Sequence, residues 1–524
     1  MGRLLLQYFS FARLSVSIFN PSNFSAELSS EKVPKKWLWL TLGLAGVAIV
    51  SASAGALLAV SISSTPLMQT KLSREEAKVF NHDQAISSGE NLQLPTLTRP
   101  VNIMVLGVKV LTTDLANPPA NSANLGYKAL VNSLDGLSDT MLMLRFDPAQ
   151  HKLVVLSIPR DTRTWVQGVG LTKLNEANYD GGPALAAKAT SELLGNTTID
   201  RYIRINVQGV EKLMDALGGV KLYVPQDMRY QDDSQHLYIN LKQGEQHLNG
   251  AQALQFLRFR YDNLGDIGRV QRQQMLMRAL MEQALNPATL ARVPKILSVI
   301  QANIDTNLSV EELVALVGFA GQSDRPKAQM LMVPGEFSSP EEFEASYWLP
   351  NQAKLNAMVS QYFGTKPSAS PDGTSSQEVE AEVEPLANIR IAIQDSTGKL
   401  NTAKLLKTLT AAGYEGGFMD TPWSQPLQQT RIIAQQGDGE TAEAIRKALG
   451  FGEVQIESTG NLESNITIRV GQDALGSKPA VSPSPSPASS PTPSPIPSPI
   501  PSAAPTPSPK SQQPNPSPAP ASTN

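Results

Sequence analysis

The sequence contains no cysteine. Disulfides and thiolate-bound metals are therefore excluded, and the absence agrees with an exported protein that avoids stray oxidation. Histidine is scarce: His82, His151, His236 and His247 are the only ones, and their spacing matches no metal-ligand pattern, which argues against His-based zinc chemistry. No long basic run occurs and the formal net charge is -3, which argues against a groove for nucleic acid.

Charge is missing altogether from residues 38–62, LWLTLGLAGVAIVSASAGALLAVSI. A helix of that length spans roughly 37 Å at about 1.5 Å per residue, enough to cross a bilayer core with some tilt. Lys32, Lys35 and Lys36 stand just before it, while Lys71, Arg74, Glu75 and Glu76 mix signs beyond it. Positive-inside bias predicts a cytoplasmic segment over 1–36, a single transmembrane helix over 37–63, and everything later on the outer side of the cytoplasmic membrane.

The chain beyond residue 63 is long enough for more than one domain. Residues 64–99 read as a polar stalk. From 100 to 363 strand-like runs (101–107, 140–146, 153–157, 201–207, 220–224, 330–334) alternate with helical spacing, which predicts an α/β domain with helices on both sides of a sheet. Residues 109–136, rich in Asn, Pro and small side chains, read as a long mobile loop over a site or as an insertion. A Pro-, Ser- and Glu-rich linker (364–387) leads to a small α/β unit at 388–474, and 475–524 is a Pro-Ser-Thr-Ala repeat without the apolar residues for a core, hence disordered or extended.

The densest chemistry lies in residues 253–273, ALQFLRFRYDNLGDIGRVQRQ. Arg258, Arg260, Arg269 and Arg272 crowd around Asp262 and Asp266. If 256–260 is extended, alternation puts Arg258 and Arg260 on one face. Beyond Gly265-Asp-Ile-Gly268 the pattern turns helical, and Arg269 and Arg272, three apart, share its first turn. Such a set can grip a polyanionic phosphate while keeping one carboxylate for metal or proton work. Salt bridging to Asp262 is the plainer account of one or two of these arginines.

Several motifs, in order and spacing, resemble the LytR-CpsA-Psr family: Asn102-Ile-Met-Val-Leu-Gly107, Ser138-Asp139-Thr140-Met141, Ser157-Ile-Pro-Arg-Asp-Thr162, Lys173-Leu-Asn-Glu-Ala177 with Gly181-Gly182, Gly218-Gly-Val220, and Ala253 through Gln273. The unit at 388–474 resembles the LytR C-terminal domain. The resemblance implies a three-layer α-β-α catalytic domain with a greasy tunnel. It also implies a transferase that passes a phosphoryl-glycan from a polyprenyl-pyrophosphate carrier to a peptidoglycan hydroxyl. Carried over by position, Arg160, Arg258, Arg260 and Arg272 would grip the pyrophosphate, with Arg269 and Gln273 beside them. Asp139 would be a Mg²⁺ ligand, with Asp114 the nearest second carboxylate. Asp266 would accept the acceptor's proton or orient the arginines.

Two positions depart from the family pattern. Val108-Lys109 stands where an aspartate is usual, and Leu137 where an arginine is usual. Two other functions therefore stay open: a pyrophosphatase that releases the lipid-linked glycan to water, and a non-catalytic wall-binding protein. The C-terminal unit has no catalytic cluster, since Asp395, Asp438 and Glu440 read as turn and cap residues. It is expected to be an interaction module whose deletion leaves the phosphotransfer chemistry largely intact.

Overall fold

The strand Val101–Lys109, whose alternate side chains enter two different cores, sets the frame of the larger domain. The computed structural model describes residues 67–81, 84–88, 95–109, 133–233, 237–259, 265–284, 289, 292–320, 327–364, 385–461 and 463–476, with backbone only at 265–267, 284, 320 and 327. The expected membrane span lies outside these residues, as do Asp114, Arg260, Asp262 and the Pro-rich tail; among the described residues no helix is long and apolar enough to cross a membrane.

Six strands form the main sheet: β1 (Val101–Lys109), β2 (Leu137–Asp147), β3 (Lys152–Ile158), β4 (Arg201–Asn206), β5 (Ile304–Thr306) and β6 (Lys327–Met332), in the order β5-β4-β1-β2-β3-β6. β1 runs parallel to β4, and β3 to β6, while the other pairs are antiparallel. Even-numbered side chains of β1 (Met104, Leu106, Val108) face one core, closed by α1 (Ala177–Leu193) and the later helix Gln352–Phe363. Val101 and Ile103 face the other, closed by Val310–Ala320 and the apolar edge of Gly265–Ala284. The period of two divides one strand between two cores, and helices cover both faces.

The other helices are α2 (Val207–Leu217), α3 (Gly250–Arg258), α4 (Gly265–Ala284), α5 (Val293–Asn303), α6 (Val310–Ala320) and α7 (Gln352–Phe363). After β6 the chain forms a short hairpin, β7 (Gly335–Phe337) with β8 (Trp348–Pro350), so β6 is not the domain's last strand.

Two expectations are revised. The described residues of the expected stalk at 64–99 do not stand free: Phe80 and Ile86 are buried in the two cores, Met68 pairs with Asp305 on β5, and Arg204, Asp305 and Thr70 share a buried hydrogen-bonded ion pair (Arg204 Nε to Asp305 Oδ2, 2.7 Å). Residues 256–258 are helical, not extended. Asn249 and Gln252 form a capping box at the start of α3, and Ala253 and Phe256, three apart, bury one side of it. The extended conformation begins only at Phe259, and Gly265–Gly268 already belongs to the first turn of α4.

The C-terminal domain has five strands, β9 (Arg390–Asp395), β10 (Gly416–Met419), β11 (Arg431–Ala434), β12 (Glu453–Ile456) and β13 (Ile466–Val470), in the order β10-β9-β13-β11-β12, with helices α8 (Thr402–Ala411) and α9 (Gly439–Leu449). Asp438 caps α9 through Thr441 N–H and Asp395 closes a turn at Thr397, as their sequence context suggests. The domain docks on the catalytic domain. Glu457 pairs with Met330 on β6, and the Ser458 amide donates to the Met330 carbonyl (2.8 Å). Glu457, its side chain 4% exposed, also takes an ion pair from Arg278 on α4 and faces Arg469 at 4.0 Å. Gln271 on the same helix donates to the Gly460 carbonyl (2.9 Å). The module is thus anchored on α4, the helix that carries Arg269 and Arg272.

Burial would push the Glu457 carboxyl up, but Arg278, Arg469 and the Thr459 hydroxyl outweigh it and hold the carboxyl below its usual range. Removing it strands two cations at the interface, so Glu457→Ala should cost about 3–5 kcal/mol in denaturant unfolding. A depressed folded pKa gives stability that is complete above the unfolded value, about 4.3, and disappears as pH falls through the folded one. Thermal scans should therefore show an acid-side loss of stability in the wild type that Glu457→Gln, already destabilised at neutral pH, largely lacks.

Candidate functional site

The site forms where β1, β2, the loop after β3 and the start of α4 meet. Asp139, near the start of β2, is its centre. Its carboxylate accepts a hydrogen bond from Arg160 Nη1 (3.0 Å), and Arg269 Nη1 lies 4.0 Å from its other oxygen. Arg160 also donates from Nε to Asp161 (3.1 Å), whose second oxygen takes Lys173 Nζ (2.8 Å). The Pro-Arg-Asp-Thr turn that aims Arg160 is fixed by its own backbone: Thr162 N–H and Oγ1 donate to the Pro159 carbonyl, and Asn175 N–H to the Arg160 carbonyl. The Asn178 amide holds the carbonyls of Leu134 and Gly136, which positions the chain entering β2.

Helix α4 brings its polar side to this centre. Gln273 Nε2 donates to Thr140 Oγ1 (2.7 Å), and Gln274 Nε2 ties the helix to Ser157 Oγ and to the Leu331 carbonyl. Arg269, its side chain 8% exposed, and Gln273 line two adjoining polar cavities together with Asp139. The larger, about 150 Å³, is completed by Arg258, Lys109, Asn206 and Tyr230; the smaller by Arg160, Asp161 and Phe337. Arg160, Arg258, Arg269, Gln273 and Asp139 are therefore gathered as their motifs suggest.

Arg272 is not among the residues lining either cavity. Its guanidinium donates to the Phe259 carbonyl and lies over the Phe259 ring at 5.8 Å. The physical reason is the end of α3, where terminal carbonyls lack helical partners. A buried arginine supplies one and fixes the residue next to Arg258. Burial pushes the Arg272 guanidinium down to about 10. Asp266 lies in the first turn of α4, a position known for its backbone alone, and Arg260 and Asp114 lie outside the described residues.

A third cavity of about 300 Å³ adjoins the larger polar one and is lined almost entirely by aliphatic side chains, among them Val105, Leu142, Ile203, Leu276, Met277 and Leu313. Gly107, Thr140, Ile205, Val210, Leu257 and Gln273 line both. At the seam, a β-bulge after Gly107 shifts the register of β1, and a side chain at Gly107 would meet Thr140 Cβ at 2.9 Å. The hollow explains why Val105 and Ile203 are only half-buried despite facing a core. An amphiphile with a long apolar tail and an anionic head fits this combination. Motif reading misses Asn206, Tyr230 and the aliphatic lining, because lining and filling residues look alike in a sequence.

Among the described residues no three His, Asp or Glu side chains cluster as a metal cage. The donor set that faces the two cavities offers the Asp139 carboxylate, the Thr140 hydroxyl and the Asp161 carboxylate, the last already held by Arg160 and Lys173. That suits Mg²⁺ arriving with substrate phosphates, which supply its remaining ligands, better than a preformed all-protein site.

The chain is similar in sequence to known proteins. Residues 388–473 match the family model described as LytR cell envelope-related transcriptional attenuator. A polyisoprenyl-teichoic acid–peptidoglycan teichoic acid transferase TagU of Bacillus cereus is 29% identical over 322 residues, covering 61% of this chain and 94% of that one. The same-named protein of Oceanobacillus iheyensis is 34% identical over 229 residues, 42% of this chain and 63% of that one. Among solved structures, Bacillus subtilis TagV has 26% identity and a TM-score of 0.42, covering 51% of this chain and 99% of that one. TagT bound to LI-WTA has 22% identity and a TM-score of 0.39, covering 51% and 92%. Residues 63–363, more than half of the chain, match the LytR_cpsA_psr model, and the chain belongs to the LytR_cpsA_psr family.

Proposed function

We propose that this protein transfers a phosphoryl-linked glycopolymer from a polyprenyl-pyrophosphate carrier to a hydroxyl of peptidoglycan, at the outer face of the cytoplasmic membrane. The observation that carries the proposal is the seam at Gly107, Thr140 and Gln273, where an aliphatic cavity opens into an arginine-lined one. The fold is read as the three-layer α-β-α arrangement of the family, on a single membrane helix at 37–63, with the N-terminus cytoplasmic and the bulk outside.

The prenyl chain occupies the aliphatic cavity. Arg160, Arg258, Arg260 and Arg269 bind the pyrophosphate, Gln273 contributes an amide hydrogen bond, and Arg272 holds the Arg258 end of α3 from behind. The acceptor oxygen attacks the phosphorus that carries the glycan, the bond to the bridging oxygen breaks, and polyprenyl phosphate departs with that oxygen. Asp266 takes the hydroxyl proton. The arginines neutralise charge on the phosphoryl and leaving oxygens, where such transition states concentrate it. Asp139 and Asp114 are the proposed Mg²⁺ ligands; the ion, when bound, adds charge neutralisation at the phosphates. The large family match and the relatives named as teichoic acid transferases support an enzyme of this class.

The decisive assay incubates the protein with a polyprenyl-pyrophosphate glycan, with and without Mg²⁺ and a peptidoglycan acceptor. Acceptor-dependent transfer that falls in Arg258→Ala and Asp139→Ala is expected. Release of glycan to water at the same rate without acceptor would replace the transferase with a hydrolase. Inorganic pyrophosphate should also raise the melting temperature through binding to the folded state. Arg269→Ala should weaken that binding by about 1.5–3 kcal/mol, the worth of a hydrogen bond to a charged group, roughly ten- to a hundredfold in calorimetric Kd.

A further inference from the structure

The anion pocket has another neighbour besides the aliphatic cavity. A cleft of about 250 Å³ lies between the β7/β8 hairpin and the C-terminal domain. Phe337 joins it to the site, because the residue lines both this cleft and the small cavity of Asp139, Arg160 and Arg269. The hairpin is tied to the arginine-bearing turn: Trp348 N–H donates to the Asp161 carbonyl (2.9 Å), and Trp348 pairs with Thr162. The opposite wall carries Gln436 and Glu463 of the C-terminal domain. That wall is held in place by the Ser458–Met330 hydrogen bond and the Glu457–Arg278 ion pair.

The chemistry of the cleft is opposite to that of the anion pocket. Glu336 and Glu463 line it, and no lysine or arginine does. Glu463 is also 3.5 Å from Arg390, so the excess of negative charge is modest, but its sign disfavours a phosphorylated glycan. Phe337 is 43% exposed, packed edge-on against Trp348 at a centroid distance of 5.2 Å. Trp348, only 3% exposed, spends its indole N–H on the Val333 carbonyl and backs the Phe337 ring, which supplies the exposed apolar surface. An apolar ring surface beside an amide and carboxylates suits a sugar, which presents C–H faces to the ring and hydroxyl or acetamido groups to the polar side chains.

We propose that this cleft is the acceptor subsite: it binds the glycan strand of peptidoglycan and leads its hydroxyl past Phe337 to the phosphoryl group held by Arg160 and Arg269. The assignment rests on the transferase reading and gives the C-terminal domain a role, as the far wall of the acceptor path. Two sites of opposite charge then sort the two glycans, the phosphorylated donor to the arginines and the acceptor sugars, which carry no phosphate, to the cleft.

The test uses the full chain in nanodiscs, with Phe337→Ala and with Gln436→Trp, which fills the cleft from an exposed position. Both should raise the acceptor KM about tenfold or more, and Gln436→Trp should leave the donor KM within about twofold. Binding of an undecorated peptidoglycan oligosaccharide, read by saturation-transfer NMR, should be present in the wild type and lost in Gln436→Trp. Unchanged acceptor KM in both variants, with transfer intact, overturns the cleft and leaves the transferase standing. An equal rise in donor and acceptor KM for Gln436→Trp overturns it as well. A wild type that binds the oligosaccharide at the cleft but transfers nothing overturns the transferase and keeps the saccharide site. A wild type that binds no oligosaccharide overturns the cleft.

Discussion

Asp139 holds the site together. Arginines brought to one place repel each other, and at an effective dielectric of about 20 a unit charge pair at about 4 Å is worth about 4 kcal/mol. The Asp139 carboxylate between Arg160 and Arg269 offsets part of that repulsion. The arrangement also explains the supporting bonds. Asp161 and Lys173 hold Arg160 from one side, and Gln274 holds α4 against β3 and β6 from the other. Neither arginine needs large motion to receive a phosphate, which is the condition for electrostatic preorganisation.

The same few residues separate two solvents. On one side of Gly107 and Thr140 the cavity is almost wholly aliphatic; on the other, cations, amides and the Asp139 carboxylate join the aliphatic lining. A β-bulge between Gly107 and Val108 shifts the register of β1 there, and past the buried Val108 the strand ends in Lys109, which lines the cation-bearing cavity. Helix α4 spans the same boundary: Arg269 and Gln273 serve the polar side, while Leu276, Met277 and Leu280 serve the apolar one.

Much of this architecture is legible in the chain. The α/β alternation follows from period-two and helical spacing, and Asp139, Arg160, Arg258 and Arg269 stand in motifs whose spacing brings them together. Arg258 reaches the site for a different local reason than strand alternation, because a capping box at Asn249 and Gln252 makes its segment helical. Arg272 looks equivalent to Arg269, three residues away, but an unsatisfied helix-end carbonyl at Phe259 claims it. Residues 67–99 read as polar overall, and only a few apolar anchors, Phe80, Ile86 and Leu97, decide their burial. Of the departures from the family pattern, Val108-Lys109 and Leu137, the second residue of the first is the register partner of Leu137 on the adjacent strand, a neighbourhood that no linear reading reveals.

The main sheet ends in β5 on one side and β6 on the other. Met68, from the segment leading in from the N-terminus, pairs with Asp305 on the first, and Glu457 of the C-terminal domain pairs with Met330 on the second. Neither outer strand therefore offers a long row of open backbone groups to another chain, the usual template for strand-to-strand association. For a protein proposed to work outside the cytoplasm, parts of the chain that look like accessories to catalysis also guard against self-association.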